Sequence, residues 1–302
     1  MSDLFNDQDL LAISNDISDF ALLSGGILNQ YFKTPGISSK DLDVKFKDKN
    51  NSDPVTLADL KVDELITKRI MEKYSGIDWE ILSEENIKMP SNNVNTNSEF
   101  LWILDPLDGT KDFIEGTGNY AMHLALNHKQ VPVLGIVLIP ERNQLWITNG
   151  NKTWCEDRDG SNLETKISKN IRLNEMTIVT SKNHRNEVLE DLIRKLNFRK
   201  RIIMGSVGCK IASIIRGESD IYISMSLPER SSPKDWDFAA PEAILKAVGG
   251  AITTIDNQNL LYNGENYEQR GIIIASNNKD NHGEICSEIQ EIIKKYNLDP
   301  FN

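Results

Sequence analysis

Four short stretches of the sequence carry acids where a helix or strand is expected to begin or end. They are DPVTLAD (Asp53 to Asp59), SEEN (Glu84 and Glu85), DPLDGT (Asp105 and Asp108) and WDFAAP (Asp237). Ends of strands and starts of helices are places where side chains and backbone converge on a ligand. Acids gathered in this way can hold metal ions, and metal ions can in turn hold phosphate.

The DPLDGT stretch directly follows the apolar residues 102–104, so Asp105 is expected at the edge of the core. Burying a carboxylate without a partner costs several kcal/mol, and Lys111 alone cannot neutralise Asp105, Asp108 and further acids. A divalent cation can, and oxygen ligands favour Mg²⁺. Gly109 and Thr110 then present backbone N–H groups at an expected helix start, where an anion is favoured. The alternative is a tight turn with helix-capping acids.

The surrounding pattern predicts an α/β protein in two halves. Helices are expected over 8–31 and 57–74, and strands over 121–127 and 131–139. After the polar region 150–172, strands and helices alternate up to a last helix at 283–296. We expect an N-terminal α+β half (1–160) that carries most of the acids, and a C-terminal α/β half (161–302). The Lys- and Asp-rich segment 34–53 is predicted to be a loop.

Composition excludes several classes of protein. The 302 residues carry a net charge of −11, which argues against binding nucleic-acid polymers or anionic membranes. The three cysteines are widely spaced and form no CxxC pair, so neither a zinc site nor a disulfide framework is expected, and a reducing cytoplasm fits. The N-terminus does not have the pattern of a signal peptide, and no apolar run is long enough to span a membrane.

Together, DPVTLAD, ILSEEN, WILDPLDGTKDFI and DWDFAAPEAILKAVGG resemble the inositol monophosphatase superfamily of magnesium-dependent phosphatases, over essentially the whole chain. DPLDGTKDFI in particular resembles the bisphosphate nucleotidase branch, which favours a lysine and an acid after DGT. The resemblance implies a layered αβαβα sandwich of the sugar-phosphatase type.

The resemblance also implies two to three Mg²⁺ ions. It gives the metal ligands as Glu84, Asp105, the Leu107 carbonyl, Asp108 and Asp237. One ion would be held by Glu84, Asp105 and the Leu107 carbonyl, and a second would lie between Asp105, Asp108 and Asp237. A weaker third is expected near Glu84 and Asp59. Thr110 and Asp59 resemble the pair that orients and deprotonates a metal-bound water, and two cations can clamp such an in-line displacement.

The substrate residues are predicted mainly from the second half of the chain. The segment from Gly205 resembles the GS…K…G…D pattern of the family, with Gly205, Ser206 and Lys210 at a turn and helix start that suit an anion. TSKNH resembles a nucleotidase turn in which His184 contacts the nucleotide, and Arg230 is a candidate for a phosphate or sulfate. Each of Lys210, His184 and Arg230 could instead be an ordinary surface charge.

The sequence departs from the family pattern at a few positions. Asp53 stands where a serine is usual, Ser83 replaces the glycine before the paired acids, and Lys47 is expected near the metals in a longer loop. None of these changes removes a proposed ligand. His123, His128 and His282 show no recognisable partner and are expected to be structural or surface residues.

The sequence therefore predicts a Mg²⁺-dependent phosphatase that removes the 3′-phosphate of adenosine 3′,5′-bisphosphate and of its sulfated form. The first alternative is an inositol or sugar phosphatase with the same metal core. The second is a nucleotide-binding regulator without catalysis. The expected partner is a small phosphorylated nucleotide, and the protein is expected to be a monomer or homodimer.

Overall fold

A computed structural model of the protein describes residues 6–32, 43–46, 54–87, 94, 98–157, 165–166, 172–182, 186–228, 232–262 and 265–299. Among these, no helix combines the length and the apolar character that crossing a bilayer requires.

Seven α-helices and thirteen strands are formed by the described residues. The helices are α1 (Asp7–Tyr31), α2 (Leu57–Lys73), α3 (Thr110–Glu115), α4 (Glu187–Leu196), α5 (Val207–Ile215), α6 (Asp235–Ala247) and α7 (Lys279–Tyr296). The strands are β1 (Lys45–Phe46), β2 (Pro54–Val55), β3 (Glu80–Ser83), β4 (Phe100–Asp108), β5 (Ala121–His128), β6 (Val131–Ile139), β7 (Gln144–Thr148), β8 (Thr153–Asp157), β9 (Thr177–Ser181), β10 (Lys200–Met204), β11 (Ile221–Met225), β12 (Ala251–Thr254) and β13 (Ile272–Ser276).

The first large sheet has six strands in the order β3-β4-β5-β6-β7-β8. Within the described part of the chain its only parallel pair is β3 with β4, and the other neighbours are antiparallel. Alternate residues of β4 point to opposite faces: Trp102 and Leu104 pack with α1 and α2, whereas Leu101 and Ile103 face the interior of the molecule. All nine residues of β4 are buried, so the strand that leads to the predicted metal site is covered on both faces.

The second sheet has five strands in the order β10-β9-β11-β13-β12. β9 pairs in parallel with β10 and β11, and β13 runs antiparallel to β11 and β12. Ile272 and Ile274 of β13 pack on the side of α4 and α7, and Ile273 and Ala275 pack on the opposite face. Both faces of this sheet are therefore buried as well.

Helices α5 and α6 lie between the two sheets. α6 packs on β4, β5 and β6 of the first sheet and on β12 of the second, and α5 contacts β5, β6 and β11. The order of layers is α1 and α2, six-stranded sheet, α5 and α6, five-stranded sheet, α4 and α7. This order confirms the predicted αβαβα sandwich.

Three local predictions differ from the structure. Residues 45–46, within the predicted loop 34–53, form β1, which pairs with β2. α7 begins at Lys279 rather than at 283, because the side chain of Asn278 caps the helix by accepting from the Asp280 N–H. The near-helical spacing of Leu10, Ile13, Ile17, Phe20 and Leu23 predicts one apolar stripe along α1, but Leu23 is 49% exposed, since the buried face turns to Ala21 and Leu28 instead.

Candidate active site

The end of β4 brings two acids to the edge of the core. Its register with β5 is regular up to Asp105, opposite His123, and shifts before Asp108, opposite Ala121. Such a bulge re-aims side chains at a strand end. Asp105 is buried and accepts a hydrogen bond from the Leu107 N–H at 3.0 Å. The DPLD turn is therefore an irregular strand end that holds both carboxylates on one side.

Glu84 reaches this site through the register of the parallel pair β3 and β4. Ser83 is paired with Leu104, and the Glu84 N–H donates to the Leu104 carbonyl at 3.1 Å. Glu84 follows Ser83 and Asp105 follows Leu104, so this register places Glu84 beside Asp105. Its negative charge contributes to raising the pKa of Asp105.

Asp237 enters from the other half of the chain, in the first turn of α6. Its carboxylate accepts from the Lys234 N–H at 2.5 Å and so caps the helix. The pKa of Asp237 is raised well above its ordinary value, first by burial and then by the negative charge of Asp108.

The acids converge into one cluster. Oxygen atoms of Asp105, Asp108 and Asp237 lie within 4.8 Å of one another. The pKa of Asp105 is raised by burial and by the charges of Glu84, Asp108 and Asp237. A cation would offset this repulsion, and a set of carboxylate oxygens is the kind of donor set that Mg²⁺ prefers. The residues present therefore fit a divalent cation.

Thr110 and Asp59 also meet at this site, from α3 and α2. The Thr110 hydroxyl lies 3.4 Å from Asp59 Oδ1 and 3.1 Å from the Leu107 carbonyl. Asp59 Oδ2 accepts from the N–H and hydroxyl of Thr56, at 2.9 and 2.5 Å, in the capping box of α2. Burial, with the charges of Glu84 and Glu85, raises the pKa of Asp59 to about 7.

The start of α5 meets the cluster through Asp108. Asp108 Oδ2 accepts from the Ser206 hydroxyl at 2.7 Å, the Val207 N–H at 2.5 Å and the Gly208 N–H at 3.4 Å. Lys210, one turn further along α5, is only 3% exposed, and its Nζ lies 5.1 Å from the centre of the Tyr222 ring. Its positive charge lowers the pKa of Asp237, although burial and Asp108 outweigh it.

A sequence profile of the inositol monophosphatase family matches residues 16–294. The chain belongs to the inositol monophosphatase family. It is therefore a phosphatase of that family.

Two curated proteins and one solved structure are similar to this chain over most of its length. The 3′(2′),5′-bisphosphate nucleotidase CysQ of Buchnera aphidicola is 31% identical over 225 residues, covering 74% of this chain and 79% of the relative. CysQ of Escherichia coli K12 is 28% identical over 217 residues, covering 71% of this chain and 80% of the relative. The extragenic suppressor protein suhB of Bartonella henselae has the same fold, with a TM-score of 0.73 at 22% identity over 94% of this chain and 99% of its own.

One site residue of this family member was missed by sequence reasoning. His123 is fully buried, its Nδ1 lies 3.3 Å from the Trp236 carbonyl, and its Nε2 lies 3.4 Å from Asp108 Oδ2. Burial lowers the pKa of His123. The available signal was the antiparallel pairing of β4 and β5, which sets His123 opposite Asp105.

The remaining predicted residues divide into two groups. Ser83, which replaces the usual glycine, donates its hydroxyl to Asp63 of α2, four residues after Asp59. His184, Arg230, Lys47 and Asp53 lie outside the described residues. Their predicted roles therefore stay predictions.

Proposed function

We propose that this protein is a Mg²⁺-dependent phosphomonoesterase that removes the 3′-phosphate of adenosine 3′,5′-bisphosphate and leaves AMP. The observation that carries the proposal is the convergence of Asp105, Asp108 and Asp237 in a chain whose curated relatives are named 3′(2′),5′-bisphosphate nucleotidases. The sulfated analogue 3′-phosphoadenosine 5′-phosphosulfate carries the same 3′-phosphate, so we include it as a second substrate.

The metal ligands of the proposal are those predicted from sequence. They are Glu84, Asp105, the Leu107 carbonyl, Asp108 and Asp237, holding two to three ions. Bound Mg²⁺ would supply positive charge that offsets the carboxylates and stabilises the charge that develops during phosphoryl transfer. Glu84 and Asp105 lie side by side through the β3–β4 register, which supports their sharing one ion.

The chain itself would orient the attacking water. In this proposal the Thr110 hydroxyl, 3.4 Å from Asp59 Oδ1, holds the water, and the Asp59 carboxylate takes its proton. Asp59 is held in place because its other oxygen is bonded by Thr56. The N–H groups of Gly109 and Thr110 are proposed phosphate contacts, since the left-handed φ of +89° at Gly109 turns the chain sharply at that point.

Substrate recognition is assigned to the C-terminal half. Lys210 supports this assignment because it is a buried cation one turn along α5 from Val207, whose N–H donates to Asp108. Its charge acts on Asp237, and a buried cation next to the acids can bind an anionic ligand. The backbone N–H groups of the Gly205–Ser206 turn, together with His184 and Arg230, complete the proposed set of substrate contacts. The free cysteines support a proposed reducing, cytoplasmic location.

A panel of substrates tests the proposal. Phosphate release would be measured from adenosine 3′,5′-bisphosphate, its 5′-phosphosulfate analogue and inositol 1-phosphate, each with Mg²⁺ and with EDTA. We expect the two nucleotides to give the higher kcat/KM, with no release in EDTA. A preference for inositol 1-phosphate would favour the second candidate, an inositol phosphatase, which the name of the matching family supports.

Asp237→Asn is the matched variant for this panel. Asparagine can still accept from the Lys234 N–H and cap α6, so the thermal melt in metal-free buffer should stay close to that of the wild type. Phosphate release should fall at least about 100-fold, because one charged ligand is lost. Release at the normal rate would contradict the metal-assisted mechanism. Nucleotide binding by a wild type that releases no phosphate would favour a regulator.

A further inference from the structure

The contact between Asp108 and the start of α5 joins the two halves of the chain at the metal site. Ser206 and Asp108 are 98 residues apart, yet the Ser206 hydroxyl and the Val207 N–H both donate to Asp108 Oδ2, at 2.7 and 2.5 Å. The Gly208 N–H lies 3.4 Å from the same oxygen. Because all three donors converge on one oxygen, the Asp108 carboxylate cannot rotate without breaking them.

The backbone of Ser206 is strained at this contact. Its φ is +25°, which a residue with a side chain rarely adopts. Such strain persists only where surrounding contacts over-determine the conformation, and it gathers at functional sites. Ser206 also accepts from the Cys209 N–H at 3.2 Å, so one hydroxyl both caps α5 and binds a proposed metal ligand.

Close backbone packing holds the turn before α5 in place. A Cβ on Gly109 would lie 3.2 Å from the Ser206 nitrogen and 3.0 Å from the Asn119 carbonyl oxygen. A Cβ on Gly205 would overlap the Asp112 carboxylate and the same Asn119 carbonyl. The Gly205–Ser206 turn is therefore packed against the DGT segment with no room for a side chain at either glycine.

We propose that Ser206 is a positioning residue for the metal site. Its hydroxyl fixes the Asp108 carboxylate in the orientation that a cation requires. Ser206 therefore affects the reaction through Asp108. Because Ser206 begins the helix that carries Lys210, cation binding and the position of the proposed substrate helix are coupled. This inference rests on the proposed function, and it gives the Ser206 side chain a task other than contact with the substrate.

The test measures Mg²⁺ binding to metal-free protein by calorimetry, without substrate. Ser206→Ala removes the hydroxyl, and Ser206→Gly removes it while relieving the strain at φ +25°. A hydrogen bond to a charged group corresponds to about 10- to 100-fold in affinity, so both variants should bind Mg²⁺ weaker by that factor. Asn278→Ala is the control, because it removes the cap of α7 and touches no acid of the site.

Kinetics separate this role from a substrate contact. We expect that raising the Mg²⁺ concentration restores turnover of Ser206→Gly, with a KM for adenosine 3′,5′-bisphosphate close to that of the wild type. Mg²⁺ affinity within twofold of the wild type in both variants would overturn the inference. So would a KM that stays raised at saturating Mg²⁺. Failure of the wild type to release phosphate would instead count against the proposed function.

Discussion

The hydroxyl of Thr110 and the carboxylate of Asp59 lie 3.4 Å apart, although 51 residues separate them in the chain. Asp59 is the third residue of α2, and its side chain closes a capping box with Thr56. The same carboxylate thus starts a helix with one oxygen and faces Thr110 with the other.

Asp59→Asn should lower kcat for phosphate release by about 10²- to 10⁴-fold, the usual contribution of a general base. The amide can still accept from the Thr56 N–H, so the melting temperature should change little. Asp9→Asn is the matched control, because Asp9 closes the same kind of capping box at the start of α1, with Asn6. Normal turnover in Asp59→Asn would remove this residue from the proposed mechanism.

Mg²⁺ should raise the thermal stability of the protein. Cations that bind only the folded state stabilise it by about 2.7 kcal/mol at 100 times Kd, which corresponds to a rise in melting temperature of about 5 °C. Asp105→Asn should abolish this rise because Asp105 is the buried centre of the acidic cluster. Scanning fluorimetry in EDTA and in Mg²⁺ measures the melting temperatures of the wild type and of Asp105→Asn.

Asp220→Asn is the control for the Mg²⁺ experiment. Asp220 is another buried acid, but it accepts from the Thr177 N–H at 2.6 Å in the second sheet and has no part in the cluster. Because its amide oxygen can still accept from the Thr177 N–H, we expect this variant to melt close to the wild type and still to gain stability from Mg²⁺. An unchanged Mg²⁺ response in Asp105→Asn would argue against the cation site.

Sequence periodicity was sufficient to predict an α/β protein, because local spacing decides which face of a helix or strand is apolar. The αβαβα layers were predicted from the resemblance to the inositol monophosphatase family. Ile13 and Ile17 of α1 are buried as their spacing predicted. Leu23 is exposed because two successive three-residue steps from Ile17 rotate it about 120° away from the face on which Ile17, Ala21 and Leu28 are buried. The start of α7 was placed late because its signal is a single capping side chain, Asn278.

The acids of the cluster were found from sequence, but their partners were not. Asp105, Asp108 and Asp237 are marked by their place after strands and at helix starts. The contacts of Asp108 with Ser206 and His123 depend on how two sheets and the helices between them pack. That packing is a property of the whole chain, and no short motif encodes it.

The buried side chain of His282 should make stability depend on pH. Its Nδ1 pairs with the Ser276 hydroxyl at 2.7 Å and its Nε2 with the Thr253 hydroxyl at 2.8 Å. Two other titratable groups lie in this region: Cys286, whose Sγ lies 3.9 Å from the Thr253 hydroxyl, and Asp256, whose charge acts on Cys286. Burial lowers the pKa of His282 to about 4 from its ordinary 6.5.

Because the unfolded chain takes up this proton first, the stabilising contribution of neutral His282 is complete above pH 6.5 and is lost as the pH falls towards 4. The loss should amount to about 3 kcal/mol in the free energy of unfolding. Urea unfolding between pH 7.5 and 4.5 should show that the free energy of unfolding changes less with pH in His282→Gln than in the wild type. Asn278→Ala is the control, because it removes the cap of the same helix without changing a titratable group and should leave this slope as in the wild type. Equal slopes in His282→Gln and the wild type would contradict this prediction.

Gly208 of α5 and Gly26 of α1 should respond in opposite ways to substitution by alanine. A Cβ on Gly208 would lie 2.7 Å from Val137 Cγ1 and closer still to His123 Nε2, so Gly208→Ala must push α5 away from β5. We expect a loss of about 1–3 kcal/mol in the free energy of unfolding, as for other overpacked cores. Mg²⁺ affinity should fall with it, because the Gly208 and Val207 N–H groups that face Asp108 move.

Gly26 is the contrasting position. It lies inside α1, and a Cβ there meets no heavy atom within 4 Å. Gly26→Ala should therefore stabilise the protein by about 0.5–1 kcal/mol, because alanine loses less backbone entropy in a helix. Urea unfolding of both variants measures the change in the free energy of unfolding, which should be a loss for Gly208→Ala and a gain for Gly26→Ala. Calorimetric Mg²⁺ titration should show normal affinity for Gly26→Ala alone. If Gly208→Ala kept full stability and full Mg²⁺ affinity, the close contact of α5 with His123 would not be needed to hold Asp108.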